Sequence, residues 1–276
     1  MFVPTPLGNL RDVTLRAIDV LREASLVVAE DSRVTRRILS ALEIGGKEIW
    51  THHDHNARAT TPAILARARA ETVAVVTDAG TPGISDPGSA LIAAAREAGI
   101  AVEVLPGPAA FVCAAVLSGF DLRRFAFAGF PPRAGAARRS AFRENLGTTT
   151  VWYEAPHRIL ASLGDLAAVA PDRRVFLVRE LTKLYEQQIL GTAAEIAAAL
   201  EAPVRGEIAF VVEGAPDTAP AVAPAQADVD AAIDALLAEG LTTSAIAKRL
   251  AEAGHGERRH LYARVGARRT GRAEPG

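Results

Sequence analysis

The sequence predicts an α/β protein of two domains, with a mostly parallel N-terminal sheet and a small helical C-terminal appendage. Three observations predict it. Short apolar runs without polar alternation, such as Leu26-Val27-Val28-Ala29 and Val73-Ala74-Val75-Val76, each end in a polar or Gly/Pro-rich loop followed by helical periodicity, the pattern of parallel strands covered on both faces. The texture changes after Gly119, which places a boundary between residues 1–118 and 119–214. Residues 215–228 are rich in Ala and Pro without a usable period and read as a linker, and residues 229–276 read as a helical, basic tail.

The chain has 276 residues, 49% of them hydrophobic and 23% charged, which suits a soluble fold with ample core and argues against disorder. A formal net charge of −1 gives no overall attraction to nucleic acid, so RNA binding requires a local basic patch. Cys113 is the only cysteine, which rules out an internal disulfide and a cysteine-based zinc site and fits a reducing cytosol. The start Met1-Phe2-Val3-Pro4 lacks a basic region followed by an apolar run, and no stretch reaches membrane-spanning length without a charge or breaker; the expected location is cytoplasmic, without a membrane.

In chain order, Phe2-Val3 opens a short strand that stops at Pro4-Thr5-Pro6-Leu7-Gly8-Asn9-Leu10, and Asp12 is placed to cap the next helix. The strand at 26–29 delivers Glu30-Asp31-Ser32-Arg33 to its C-terminal end, where Asp31 or Ser32 either caps the following helix or serves a site. Ile49-Trp50-Thr51 leads into His52-His53-Asp54-His55-Asn56. Alternation brings His53 and His55 to one face, but no third ligand is placed, so these residues are read as hydrogen-bonding within the loop or to RNA and not as a metal site. Thr61-Pro62 reads as an N-cap and first helical residue of a helix to about residue 70.

The strand at 73–76 ends in Thr77-Asp78-Ala79-Gly80-Thr81-Pro82-Gly83-Ile84-Ser85-Asp86-Pro87-Gly88, a rigid cradle at the strand end where α/β sheets hold ligands. It matches neither nucleotide-binding glycine fingerprint, and Asp78 and Asp86 would repel a metal-free phosphate; a nucleoside or a cation fits better. A helix at 89–98, a strand at 101–105 ending in Pro106-Gly107-Pro108-Ala109-Ala110, and a helix at 111–118 complete the first domain. In the second, Arg133, Arg138, Arg139 and Arg143 form a basic stretch able to contact phosphates, although a solvated helix face accounts for them equally well. Strands at 149–153, 175–178 and 207–212 deliver Glu154-Ala155-Pro156-His157-Arg158, Arg179-Glu180-Leu181-Thr182-Lys183 and Glu213-Gly214, and Thr192-x-x-Glu195 is a capping box. Two helices, at 229–238 and 243–253, precede a basic end running from His255 to Arg272; a helix-turn-helix contacting RNA and a loosely attached appendage both fit.

With these loops laid out, the chain resembles the tetrapyrrole methylase superfamily and, within it, the bacterial small-subunit rRNA ribose methyltransferase I family. The resemblance covers most of the chain. It rests on the 4–10 loop, Ala29-Glu30-Asp31-Ser32-Arg33, His53-Asp54-His55-Asn56, Asp78-Ala79-Gly80-Thr81-Pro82, Leu105-Pro106-Gly107-Pro108, Tyr153-Glu154-Ala155-Pro156-His157-Arg158 and Arg179-Glu180-Leu181-Thr182-Lys183. Corrin and porphyrin methylases of that superfamily usually open with a G-x-G-P-G-type loop, which this chain lacks. The resemblance departs at Arg258-Arg259-His260-Leu261-Tyr262, where the family often has an Asn-containing stretch.

The resemblance implies a two-domain tetrapyrrole-methylase-like fold with a mixed C-terminal sheet, S-adenosyl-L-methionine in the interdomain cleft, no metal, and usually a homodimer. The implied reaction is 2′-O-methylation of a cytidine ribose in 16S rRNA, on the 30S subunit at the decoding centre. The implied cofactor contacts are Pro6, Leu7, Gly8, Asp78, Gly80, Thr81, Pro82, Ala109, Ala110, Tyr153, Glu154, Leu181 and Phe210. Placement at strand ends nominates Glu30 or Asp31 as proton acceptor and Lys183 or Arg158 as the group that holds phosphate or lowers the hydroxyl pKa, with a Glu180–Lys183 salt bridge as the competing role. Arg33, His53, Arg133, Arg138, Arg139 and Arg158 are the candidate RNA contacts. The rival readings are a tetrapyrrole methyltransferase and a non-catalytic ribosome assembly factor.

Overall fold

The computed structural model describes residues 1–53, 55–85, 88–215, 226–252 and 258–269. Asp54, Asp86, His255, Arg272 and most of the Ala/Pro stretch lie outside the described residues. The chain forms two compact units, Met1–Ala215 and Pro216–Gly276.

The first unit begins with α1 (Leu15–Glu23), β1 (Leu26–Ala29), α2 (Ser32–Ala41), β2 (Glu48–Thr51), α3 (Ala57–Ala68), β3 (Val73–Val76) and α4 (Gly88–Glu97). The strands pair in the order β2-β1-β3, all parallel, as the apolar runs predict. Successive side chains point to opposite faces. Val27, Ala29, Ala74 and Val76 accordingly pack with Ala17, Val20 and Leu21 of α1, while Leu26, Val28, Val73 and Val75 pack with Ile64 of α3 and Leu91 of α4. The register sets Ala29 beside Thr51 and Val76, so the loops after all three strands leave from one edge.

Several local expectations are corrected. Residues 2–3 and 101–105 do not form strands: Phe2 makes single bridges to Val75 and Val104, because the flanking prolines at 4, 6, 106 and 108 supply no N–H to extend a ladder. The cap of α1 is Thr14, whose hydroxyl accepts from Ala17 N at 3.1 Å; Asp12 instead sits in a short 3-10 turn, Leu10–Asp12. Helix α3 starts at Ala57, ahead of Thr61, and holds Pro62 in its interior; the Thr61 hydroxyl bonds back to Ala57 O at 2.7 Å instead of capping.

The chain then runs through α5 (Ala110–Ser118), β4 (Phe125–Phe127), α6 (Gly135–Asn145), β5 (Thr149–Glu154), α7 (Ile159–Val169), β6 (Arg174–Arg179), β7 (Gln187–Thr192), α8 (Ala193–Ala199) and β8 (Ile208–Val212). The second sheet has the order β4-β5-β8-β6-β7; β4 is parallel to β5 and the other pairs are antiparallel. The sheet is therefore mixed, as expected. One face holds Trp152, Val175, Leu177 and Phe210 against Phe142 of α6, Leu163 of α7 and Ile196 of α8. The other holds Val151, Phe176, Val178, Ala209 and Val211 against Ala114 and Ala115 of α5. The change of sheet partner thus comes one helix before the change in sequence texture, because α5 carries the apolar face that covers the second sheet.

In the second unit α9 (Gln226–Ala238), α10 (Thr243–Glu252) and α11 (Arg258–Arg269) share a core of Ile233, Ile246, Ala247, Leu261 and Val265. The sequence reading anticipated only the first two of these helices.

Candidate functional site

The proline-rich N-terminal segment is tied to the loop after β3. Thr5 N donates to Gly80 O at 2.9 Å, Gly80 N donates back to Thr5 O at 3.0 Å, and Thr5 Oγ1 donates to Thr77 O at 3.1 Å. Thr81 Oγ1 donates to Pro108 O at 2.8 Å, joining the loop that opens α5. Gly80 has φ +85°, and a Cβ there would come within 3.2 Å of Leu7 Cδ2; only glycine gives this close approach of loops without strain.

The second sheet supplies the opposite wall. Tyr153, at the end of β5, accepts from Phe111 N at 3.0 Å, satisfying a first-turn donor of α5. Burial raises the Tyr153 pKa, so the phenol stays protonated. After β6, Glu180 and Thr182 have φ of +54° and +65°, sparsely populated for residues with a Cβ. That conformation is held by Glu180 Oε1, which accepts from Lys183 Nζ and Glu207 N at 2.9 Å each, and by Glu186, which accepts from Thr182 N at 2.7 Å. Gly8 lies directly under this loop: a Cβ at Gly8 would collide with the Lys183 side chain and come within 2.9 Å of Thr182 Oγ1.

Between these walls lies a cleft of about 380 Å³, within the range of roughly 300–1,000 Å³ typical of small-molecule sites. Of the residues named as cofactor contacts, Leu7, Gly80, Thr81, Ala109, Ala110, Tyr153, Glu154 and Leu181 line it. Pro6, Gly8, Asp78 and Pro82 belong to the same loops but are not among its lining residues. Phe210 is fully buried in the core: alternation along β8 turns it to the α6–α8 face and Ala209 to the opposite face, where Ala209 lines the cleft together with Ile208 at the start of the strand. Phe130, Ile84, Ala155, Pro156, Gly206 and Glu207 also line it and were not anticipated. The signals were slight: Phe130 ends an aromatic alternation, and Gly206, with φ +89°, precedes a strand.

The described lining residues include no Lys, Arg or His and include two glutamates. Glu154 is engaged internally, accepting from Ala155 N at 2.9 Å and from Ser162 Oγ, with Arg158 Nε at 3.3 Å. Such a cleft suits a ligand with an apolar, uncharged body and a positive centre better than a phosphate.

Three further carboxylates gather where β1 and β3 end. Glu30 Oε2 accepts from Thr77 Oγ1 at 2.6 Å and Asp78 N at 3.4 Å, and Asp78 Oδ1 accepts from Asp31 N at 3.1 Å. Burial, reinforced by the charge of Glu30, raises the Asp78 pKa. Asp31 goes the other way: the Arg33 guanidinium and backbone N–H bond its carboxylate and push it down to about 2. That makes Asp31 a poor proton acceptor and engages Arg33, whose side chain stays exposed.

Three other candidate contacts make bonds within the protein. Arg138 is buried, pairing with Asp165 at 2.5 Å and donating to Arg133 O at 3.2 Å; Arg139 bonds the same aspartate at 2.6 Å. Arg158 donates to Pro131 O at 2.6 Å and Pro132 O at 3.2 Å. Lys183 bridges Glu180 and Glu207 at 2.9 Å each; burial pulls its pKa down, but these bonds outweigh it and raise it. Arg133 is exposed, as a phosphate contact must be. The backbone N–H of His53 donates to Asn56 Oδ1 at 2.8 Å. Among the described residues no group of three His, Cys, Asp or Glu could hold a metal, and no helix is long and apolar enough to cross a membrane.

Two α/β sheets joined by loops around a largely apolar cleft form the candidate site. The family described as tetrapyrrole (corrin/porphyrin) methylases matches residues 1–197. Two solved structures share the fold: diphthine synthase, with TM-score 0.59 and 14% identity over 76% of this chain and 88% of that one, and uroporphyrin-III C-methyl transferase from Thermus thermophilus complexed with S-adenyl homocysteine, with TM-score 0.55 and 20% identity over 76% and 94%. Ribosomal RNA small subunit methyltransferase I of Micromonospora olivasterospora is 46% identical over 78% of this chain and 70% of its own length, and that of Synechocystis is 40% identical over 94% of each. The chain belongs to the ribosomal RNA small subunit methyltransferase I family, within the tetrapyrrole methylases.

Proposed function

We propose that this protein binds S-adenosylmethionine in the cleft and transfers its methyl group to the ribose 2′-hydroxyl of a cytidine in 16S rRNA within the 30S subunit, in the cytoplasm. The observation that carries the reading is the cleft lining, which among the described residues is apolar and acidic without a cation, in a chain of this family. When bound, the cofactor supplies an electrophilic methyl group on a positively charged sulfur. Leu7, Leu181 and Phe130 offer apolar contacts for an adenosine, Gly80, Ala109 and Ala110 admit close approach of backbone, and Glu207, fixed by Lys183, offers the nearby negative charge.

The attacking hydroxyl must lose a proton, and a useful acceptor has a pKa nearer neutrality than an ordinary aspartate. Of the three carboxylates at this edge, Asp78, with Glu30 beside it, is assigned as that acceptor, because burial and the neighbouring Glu30 charge raise its pKa. Lys183 is assigned a positioning role, keeping the strained 180–183 loop against the cleft.

The acting form is a homodimer. Helix α5 is apolar all round; Ala114 and Ala115 face the second sheet, while Val112, Val116 and Leu117 are 45%, 66% and 42% exposed. A helix apolar on every side is normally buried, and a second copy supplies the cover.

Incubation with labelled S-adenosylmethionine and 30S subunits, naked 16S rRNA or a porphyrinoid tests the reaction. Label confined to rRNA supports it. Label in the porphyrinoid alone, or none anywhere with cofactor bound, overturns it.

A further inference from the structure

The appendage sorts its arginines by face. On α11, Arg264 Nε donates to Asp230 Oδ1 at 3.0 Å and Arg268 Nη2 to Asp234 Oδ2 at 2.6 Å, so these two are neutralised by α9. Leu261 and Val265 point into the three-helix core. The remaining face differs. Arg259 is exposed, Tyr262 is 53% exposed, and among the described residues Arg259 makes no hydrogen bond or ion pair and Arg269 bonds only the neutral Thr243 hydroxyl, at 3.4 Å. At 3.6 residues per turn, positions 259, 262 and 269 fall on one side of the helix, spread over about 15 Å of its axis.

We propose that this face of α11 docks on RNA of the substrate particle, Arg259 and Arg269 against phosphates and Tyr262 against an unstacked base. Three features favour RNA as the occupant. The positive charges are left uncompensated by the acids that neutralise the inner arginines, an exposed aromatic sits between them, and the phosphate-plus-ring combination is what single-stranded or irregular RNA requires. The core beneath is complete, with Ile233, Ile246, Ala247 and Val265 fully buried, so the face is presented by a folded support. The inference rests on the rRNA reading for its substrate and adds a docking site distinct from the cleft.

The test uses the full chain carrying Arg259→Glu, Tyr262→Ala or both. Binding to 30S subunits is measured across salt concentrations, kcat and KM for methyl transfer are measured alongside, and S-adenosylhomocysteine binding serves as a control. The double variant is expected to raise Kd and KM for 30S by roughly tenfold, to flatten the salt dependence by about one unit for the lost phosphate contact, and to leave kcat and cofactor affinity unchanged. Unchanged Kd and KM, with wild-type protein methylating 30S normally, overturn the docking site alone. Equal loss of binding to a DNA duplex overturns the assignment to RNA. If wild-type protein binds 30S through this face but transfers no methyl group, the proposed reaction fails and the docking site stands.

Discussion

At the scale of single residues, neighbours decide what a charge does. Asp31 and Asp78 are the same residue type at adjacent strand ends, yet Arg33 holds Asp31 down to about 2 while burial and Glu30 push Asp78 up. For Asp78 the folded pKa exceeds the unfolded one, so the native state loses stability as pH rises from the ordinary aspartate range through the raised value; Asp31 contributes stability above the ordinary range and loses it as pH falls toward about 2. Asp78→Asn is therefore expected to raise the urea midpoint at pH 7 while lowering methyl transfer at least about tenfold, with cofactor affinity retained. Glu30→Gln should move the acid limb of the rate profile to lower pH, because removing its charge lets Asp78 ionise earlier; a limb that stays in place contradicts the pair. Arg138→Ala removes one partner of a buried ion pair and should cost about 3 kcal/mol of stability by denaturant titration, with RNA affinity of the folded protein unchanged. The sequence displayed these charges but not their partners. Asp165 lies 27 residues after Arg138, and nothing local marks it as the acid that takes Arg138 out of an RNA surface.

At the scale of elements, legibility followed hydrogen-bonding chemistry. Strands such as Leu26–Ala29 and Val73–Val76 are uniformly apolar because both faces are covered, and they were readable for that reason. The capping box at Thr192 forms as its spacing predicts, and Thr192→Ala should cost about 1 kcal/mol, measurable as a lowered denaturation midpoint. Strand β7, at Gln187–Thr192, was not readable: it lies at the edge of its sheet, alternates partly and fully exposed positions, and contains two glutamines and a glycine. The strained 180–183 loop was recognisable as a motif but not as strain, since Glu180 and Thr182 are residues that seldom adopt positive φ. Its fixed form depends on Gly206, where a Cβ would stand 2.5 Å from Glu180 Cγ. Gly206→Ala should weaken S-adenosylhomocysteine binding by about tenfold or more in calorimetry, because Glu180 must move and Leu181 moves with it. Retention of wild-type affinity would show that the cleft does not depend on this loop.

At the scale of the whole molecule, the first 215 residues build one compact unit from two sheets, and the cleft belongs to both. Sequence texture located the second sheet but not the helix that joins it: α5 precedes the change in texture and yet covers the second sheet, a tertiary choice that no local pattern encodes. Its outer valines carry the assembly prediction. Val116→Glu should yield a monomer in sedimentation equilibrium while the wild type sediments as a dimer, and a wild-type monomer at micromolar concentration would remove the proposed second copy. The central claim, ribose methylation of 16S rRNA, is tested most directly by mass spectrometry of nucleosides from 30S subunits incubated with the protein and S-adenosylmethionine. The account predicts the appearance of 2′-O-methylcytidine in 16S rRNA, absent without protein. A new methyl group on a base, or no new methylated nucleoside while the cofactor is bound, would contradict it.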